Sequence, residues 1–134
     1  MIGILIISHE PLGTALLHCT RHIFGRLPSQ LAALDVIPDE DPLRAEQHAR
    51  DLLKRINDGS GALVLTDLWG ATPSRIAGRL VEPDRVSVMT GVNLPMLVKG
   101  LNDRRLAEPL PVLVERLLIG GREAVAQVPP EGLG

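Results

Sequence analysis

Ile2-Gly3-Ile4-Leu5-Ile6-Ile7, followed at once by Ser8-His9-Glu10-Pro11, is the stretch that decides the fold. An apolar run rich in β-branched residues and free of polar side chains makes a strand whose two faces both need cover. That is the pattern of a parallel sheet held between helices. Pro11 suits the first turn of a following helix, because it has no N–H to leave unpaired there. His9 therefore falls at the mouth of a first parallel strand and beside a helix N-terminus, where an imidazole can exchange a phosphoryl group or a proton. Strand ends on one edge of an open α/β sheet are where such folds assemble their sites.

Reading outward, Leu12, Ala15, Leu16, Cys19 and Ile23 recur at three- and four-residue spacing and predict the apolar face of a first helix stopped by Gly25. Cys19, the lone cysteine, falls on that stripe and reads as a small buried hydrophobe. A second, weaker strand spans Leu31 to Ile37, interrupted by Asp35, and ends in the turn Pro38-Asp39-Glu40-Asp41. Asp41 caps a second helix that opens with Pro42, faces the sheet with Ala45, Ala49, Leu52, Leu53 and Ile56, and stops near Gly59. A third strand runs from Ala62 to Thr66 and delivers Asp67. Thr72 and Pro73 then read as a cap and first-turn proline ahead of Ile76, Ala77 and Leu80.

A fourth strand, Val86 to Met89, leads through Thr90-Gly91-Val92-Asn93 into a helix from Pro95 to Leu101. The last helix is expected over Val112 to Ile119, between Pro111 and the pair Gly120-Gly121, and a short strand over Glu123 to Val128. The expected architecture is α/β in three layers: a mostly parallel four-stranded sheet with flanking helices.

With 134 residues and 45% hydrophobic composition the chain builds one core rather than two, expected over residues 1–128 with a loose tail over 129–134. Fourteen basic against 16 acidic residues give a net charge of -2, and Phe24 and Trp69 are the only large aromatic rings. Neither a phosphate-neutralising surplus nor a stacking platform is present, which argues against nucleic-acid binding. No apolar run approaches a membrane span and no signal peptide is recognisable, so a cytoplasmic location is expected.

Three loops open on one edge of the expected sheet: Ser8-His9-Glu10, Asp67 to Pro73, and Thr90 to Pro95. His9 offers a nitrogen nucleophile that is substantially neutral near pH 7. Asp67 suits the role of accepting a hydrogen bond from its Nδ1–H, fixing the tautomer that leaves Nε2 free to attack phosphorus. Ser8, Thr66 and Thr72 offer hydroxyls, Arg75 a charge, and the helix starts behind His9 and Thr72 offer N–H groups to a phosphate. Leu68, Trp69, Gly70, Val92, Asn93 and Leu94, with Leu12 and Met96, are candidates for a rim that meets a protein partner. A His–Asp pair also suits a hydrolase that activates water. His18 and His22 lack an acidic neighbour and His48 lies on another helix, so no metal is expected; nor is a cofactor, since Gly59-Ser60-Gly61 precedes a strand, the wrong side for a dinucleotide loop.

Ile7-Ser8-His9, Asp67-Leu68-Trp69-Gly70-Ala71-Thr72-Pro73 and Thr90-Gly91-Val92-Asn93-Leu94-Pro95-Met96-Leu97 together resemble the IIA component of the mannose/fructose/sorbose-type phosphoenolpyruvate-dependent sugar phosphotransferase system. The resemblance covers the chain from Met1 to about Val128. It implies that His9 is the phosphoacceptor and Asp67 its hydrogen-bond partner. It further implies that phosphate arrives from the phosphocarrier protein HPr and passes to a IIB component that serves a membrane permease. A homodimer that exchanges a C-terminal strand is implied as well. Many members carry an asparagine two residues after the Thr-Pro or Ser-Pro, where this chain has Ser74-Arg75. Two other outputs share the same chemistry: a regulatory interaction module read out by phosphorylation state, and a phosphotransfer subunit for a dihydroxyacetone kinase.

Overall fold

The computed structural model describes all residues from Met1 to Gly134. Four parallel strands, β1 (Gly3–His9), β2 (Leu31–Val36), β3 (Ala62–Thr66) and β4 (Val86–Met89), form one sheet in the order β2-β1-β3-β4. Helices α1 (Leu12–Phe24), α2 (Pro42–Ile56), α3 (Thr72–Gly78), α4 (Leu94–Asp103) and α5 (Leu110–Glu123) cover it. The three-layer α/β architecture is the one expected from the alternation of apolar runs and helical patterns.

Period-two alternation along β1 sends Leu5 and Ile7 to one core, with Ala45, Ala49, Leu52 and Ile56 of α2 and Ile76 and Ala77 of α3. Ile4 and Ile6 enter the other, with Leu16 of α1, Met96, Leu97 and Leu101 of α4, and Leu113 and Leu117 of α5. Both faces of β1 are dry because both carry helices. The chain leaves β1 for β2 on one side and reaches β3 on the other, so the strand order reverses between β1 and β3. A crevice at the carboxyl ends of those two strands follows from that reversal.

Several elements differ from expectation. α1 is rotated: Gly13, Leu16 and Thr20 are its buried residues, whereas Leu12, Ala15, Cys19 and Ile23 face outward. The cause is close approach at Gly13, where a Cβ would lie 2.7 Å from Asp35 Oδ1 and 3.1 Å from Ser8 Oγ. Only glycine lets the helix settle on that line, and Thr20 is accommodated by donating its hydroxyl to the Leu17 carbonyl at 2.8 Å. β1 extends through His9, which pairs with Val36, while β2 stops at Val36 and leaves Ile37 exposed.

α3 begins at Thr72 itself, with Ala71 at the cap position and no side-chain capping bond, so Thr72 is the first helical residue rather than a cap. α5 runs through Gly120 and Gly121 to Glu123. These glycines are sites of close packing on α4: a Cβ at Gly121 would lie 2.8 Å from Met96 Cε, and one at Gly120 2.5 Å from Lys99 Cδ. The strand expected over Glu123 to Val128 is not formed in this single chain; Glu123 ends α5, and Val125 and Val128 are exposed.

Candidate functional site

The β1–β3 ladder ends at the pair Ile7↔Thr66, one residue short of Asp67. Past that point the Asp67 side chain continues the pairing in place of backbone. Its Oδ2 accepts from the His9 backbone N–H at 3.0 Å and lies 2.7 Å from His9 Nδ1. Its Oδ1 accepts from the Leu68 N–H at 2.9 Å and from Thr66 Oγ1 at 3.5 Å. The loop that carries these groups is tied to the next one, because Val92 N–H donates to the Thr66 carbonyl and Gly91 N–H to that of Asp67, both at 3.1 Å.

Burial of Asp67, whose side chain is 15% exposed, pushes its carboxyl pKa upward, but the hydrogen bonds from His9 and Leu68 and the attraction of the imidazole outweigh it. The net result is a pKa below the ordinary carboxylate value. Asp67 is therefore an anion at neutral pH and can only accept. The proton in the 2.7 Å contact resides on Nδ1, and a neutral ring then keeps its lone pair on Nε2. The His9 side chain is 52% exposed, so that ring meets solvent or a partner without a conformational change. The arrangement supports nitrogen attack on phosphorus, with a fixed carboxylate beside the positive charge that develops on the ring.

Around His9 the remaining expected residues separate. Ser8 and Thr66 are fully buried, and the Ser8 hydroxyl makes no hydrogen bond; they lie beneath the site and do not face an incoming phosphoryl group. Thr72 lines, with His9, a recess of about 500 Å³ whose other walls include Glu10, Val36, Asp39 and Glu40. Asp39 and Glu40 are not singled out by the sequence, in which Pro38-Asp39-Glu40-Asp41 reads only as a turn, and Glu10 enters only as part of the loop that carries His9. Arg75 is exposed on α3, makes no ion pair and does not line the recess.

Leu68, Trp69 and Gly70 stand exposed on the loop that follows Asp67, Trp69 at 84%. Val92 and Leu94 instead pack partly against the core of α4 and α5, and Met96 is buried there. Asn93 holds structure together: its Oδ1 accepts from Met96 N–H at 2.8 Å as the cap of α4, while its Nδ2 donates to the Gly121 carbonyl at 3.1 Å. The structure gathers no group of three or more His, Cys, Asp or Glu side chains suited to a metal ion.

Residues 3–117 match the family model of the PTS system fructose IIA component, EIIA-man. The chain is 30% identical over 125 residues to the mannose-specific EIIAB component of the phosphotransferase system of Escherichia coli K12, covering 92% of this chain and 38% of that protein. It is also 30% identical over 105 residues to the fructose-specific EIIA component of Bacillus subtilis 168, covering 78% of this chain and 71% of the relative. Among solved structures, the phosphotransferase system component EIIA from Streptococcus agalactiae superposes with a TM-score of 0.85 over 95% of this chain and 97% of the other, at 24% identity, a likeness of fold. The family-model match over residues 3–117, together with the 30% identity to a relative covered over 71% of its length, establishes that this chain belongs to the mannose/fructose/sorbose family of IIA phosphotransfer components.

Proposed function

We propose that His9 carries the phosphoryl group in a relay between two proteins: phospho-HPr donates to Nε2, and the phosphorylated ring passes the group to a IIB component or a regulatory target. In the first step a bond forms between Nε2 and phosphorus as the donor's N–P bond breaks, and the electron pair stays with the donor imidazole. The second step reverses these roles with the acceptor. The observation that supports this reading is the 2.7 Å contact between His9 Nδ1 and an ionised Asp67, on an exposed ring in a IIA chain.

Leu68, Trp69 and Gly70 are the proposed contact surface for these partners, since they are exposed beside the ring with no packing role. Arg75 and Thr72 are proposed to meet the travelling phosphate from α3. A cytoplasmic site of action fits donor proteins of this system, and no helix is long and apolar enough to cross a membrane; association with a permease would be peripheral. Two copies are proposed to pair through the segment after Glu123, where exposed Val125 and Val128 and the outer edge of β4 beyond Val86, which is itself bridged to Glu82, offer strand addition.

The test is incubation with phosphoenolpyruvate, enzyme I and HPr, read by intact-protein mass spectrometry. One phosphoryl group is expected on the wild type and none on His9→Ala. Undiminished labelling of His9→Ala would overturn the assignment. Light scattering of the full chain and of a version ending at Glu123 tests the pairing: a dimer is expected only for the former.

A further inference from the structure

β1 has a neighbour on each side, and each neighbour sends a carboxylate toward the turn that carries His9. Asp67 comes from the end of β3. The other is Asp35, which sits opposite Ser8 in the β1–β2 register, one residue before the end of β2. Its Oδ1 accepts from Thr14 N–H at 3.1 Å and its Oδ2 accepts from the Thr14 hydroxyl.

Helix α1 needs such a partner. Its own cap position is Pro11, which makes no side-chain capping bond and leaves the first-turn N–H groups without local acceptors. Asp35 supplies from the adjacent strand what a serine or aspartate supplies at an ordinary helix start, and its charge matches the positive end of the helix. Gly13 makes the approach possible, because a Cβ there would lie 2.7 Å from Asp35 Oδ1.

We propose that Asp35 is a positioning residue for the phosphotransfer turn, the counterpart on β2 of Asp67 on β3. The segment from His9 to Thr14 is anchored at one end by Asp67, through the His9 backbone and ring, and at the other by Asp35 through Thr14. Glu10 N–H adds a bond to the Val36 carbonyl at 3.0 Å. Release of the Thr14 end frees the first turn of α1, in which Leu12 is exposed and Gly13 is conformationally permissive, and the loosened turn no longer holds the ring steadily on Asp67. Displacement of a reacting group by about 1 Å is enough to cost on the order of 10²-fold in rate.

Three variants test this, and the kinetic arm rests on His9 being the phosphoacceptor. Asp35→Ala removes both bonds. Gly13→Ala displaces the carboxylate while leaving it in the chain. Asp35→Asn keeps an acceptor for Thr14 N–H. The first two are expected to slow phosphorylation by phospho-HPr about tenfold or more, and Asp35→Asn to recover most of the rate.

Ala49→Gly, in the core on the α2 face, serves as a control for equal loss of stability with an unchanged rate. The second readout needs no phosphorylation at all: imidazole ¹⁵N shifts of His9 in the unmodified protein report how fully Nδ1–H is held by Asp67. Asp35→Ala and Gly13→Ala are expected to move those shifts toward a free imidazole, and Ala49→Gly to leave them in place. Wild-type ¹⁵N shifts in folded Asp35→Ala and Gly13→Ala would overturn the proposal. Failure of the wild type to accept phosphate on His9 would instead overturn the relay and leave the ¹⁵N result to decide the role of Asp35.

Discussion

The two edges of the sheet use polar groups in opposite ways. At the edge where the strands begin, Arg104, 5% exposed, donates to the carbonyls of Ile2, Ser29 and Gln30, at 3.2, 2.6 and 3.2 Å. Burial without a carboxylate partner lowers its guanidinium pKa, but three neutral acceptors lock it in place. At the edge where the strands end, His9 is fixed through one ring nitrogen and left half exposed with the other unbonded. One edge uses its hydrogen bonds for closure, and the other keeps one atom free. A site needs both, since a reactive nitrogen is useful only on a frame that does not move.

Arg104→Ala should break the closed edge most severely. It removes a donor from each of three carbonyls, of which that of Gln30 keeps only the Ile4 N–H, and it leaves a void; a loss of about 3–5 kcal/mol in urea unfolding is expected. The transfer rate of the remaining folded protein should stay near wild type. At the open edge the order reverses: Asp67→Asn should slow phosphorylation by phospho-HPr about 10²-fold, or about 2.7 kcal/mol in the barrier, because shape is kept while the charge beside the developing imidazolium is lost. Its stability should fall by less than that.

Gly121→Ala tests the packing of α5 on α4, behind the loop that carries Asn93. The added methyl meets Met96 Cε at 2.8 Å, and destabilisation of about 1–3 kcal/mol is expected with little change in transfer. Acid titration sharpens the contrast at Asp67. Its folded pKa is depressed, so its ionised form stabilises the fold above the unfolded value near ~3.9, and that stabilisation is lost as pH falls through the lowered folded value. The stability gap between wild type and Asp67→Asn should hold steady above about pH 5 and shrink below about pH 4. Least affected in stability should be Trp69→Ala, within about 0.5 kcal/mol, since that ring is 84% exposed; a raised KM for HPr with unchanged melting would mark it as partner surface.

Much of this was legible in the chain because the informative residues are local. An apolar run without a polar side chain identifies a strand buried on both faces, and prolines at Pro42, Pro73 and Pro95 mark three helix starts within one residue. His9 and Asp67 could be brought together from sequence because each ends a strand, and parallel neighbours put their ends on one edge. What escaped depends on tertiary approach. The rotation of α1 follows from Gly13 meeting Asp35, two residues far apart in sequence whose proximity no periodicity reports. Gly120-Gly121 reads as a helix stop until α4 is seen against it. Ser8 and Thr66 looked like phosphate ligands by residue type, whereas burial turns both away from an incoming group. Asp35 looked like a defect in a strand and proves to be the acceptor for the start of α1.

In the proposed relay Asp67 holds the proton on Nδ1 so that Nε2 takes the phosphoryl group. Phosphorus-coupled ¹⁵N spectroscopy of the protein phosphorylated by phospho-HPr tests it most directly. A single phosphohistidine at His9 is expected, with the phosphorus bonded to Nε2 and a protonated Nδ1. A phosphorus bonded to Nδ1, or a phosphohistidine at His18, His22 or His48 with His9 unmodified, would contradict it.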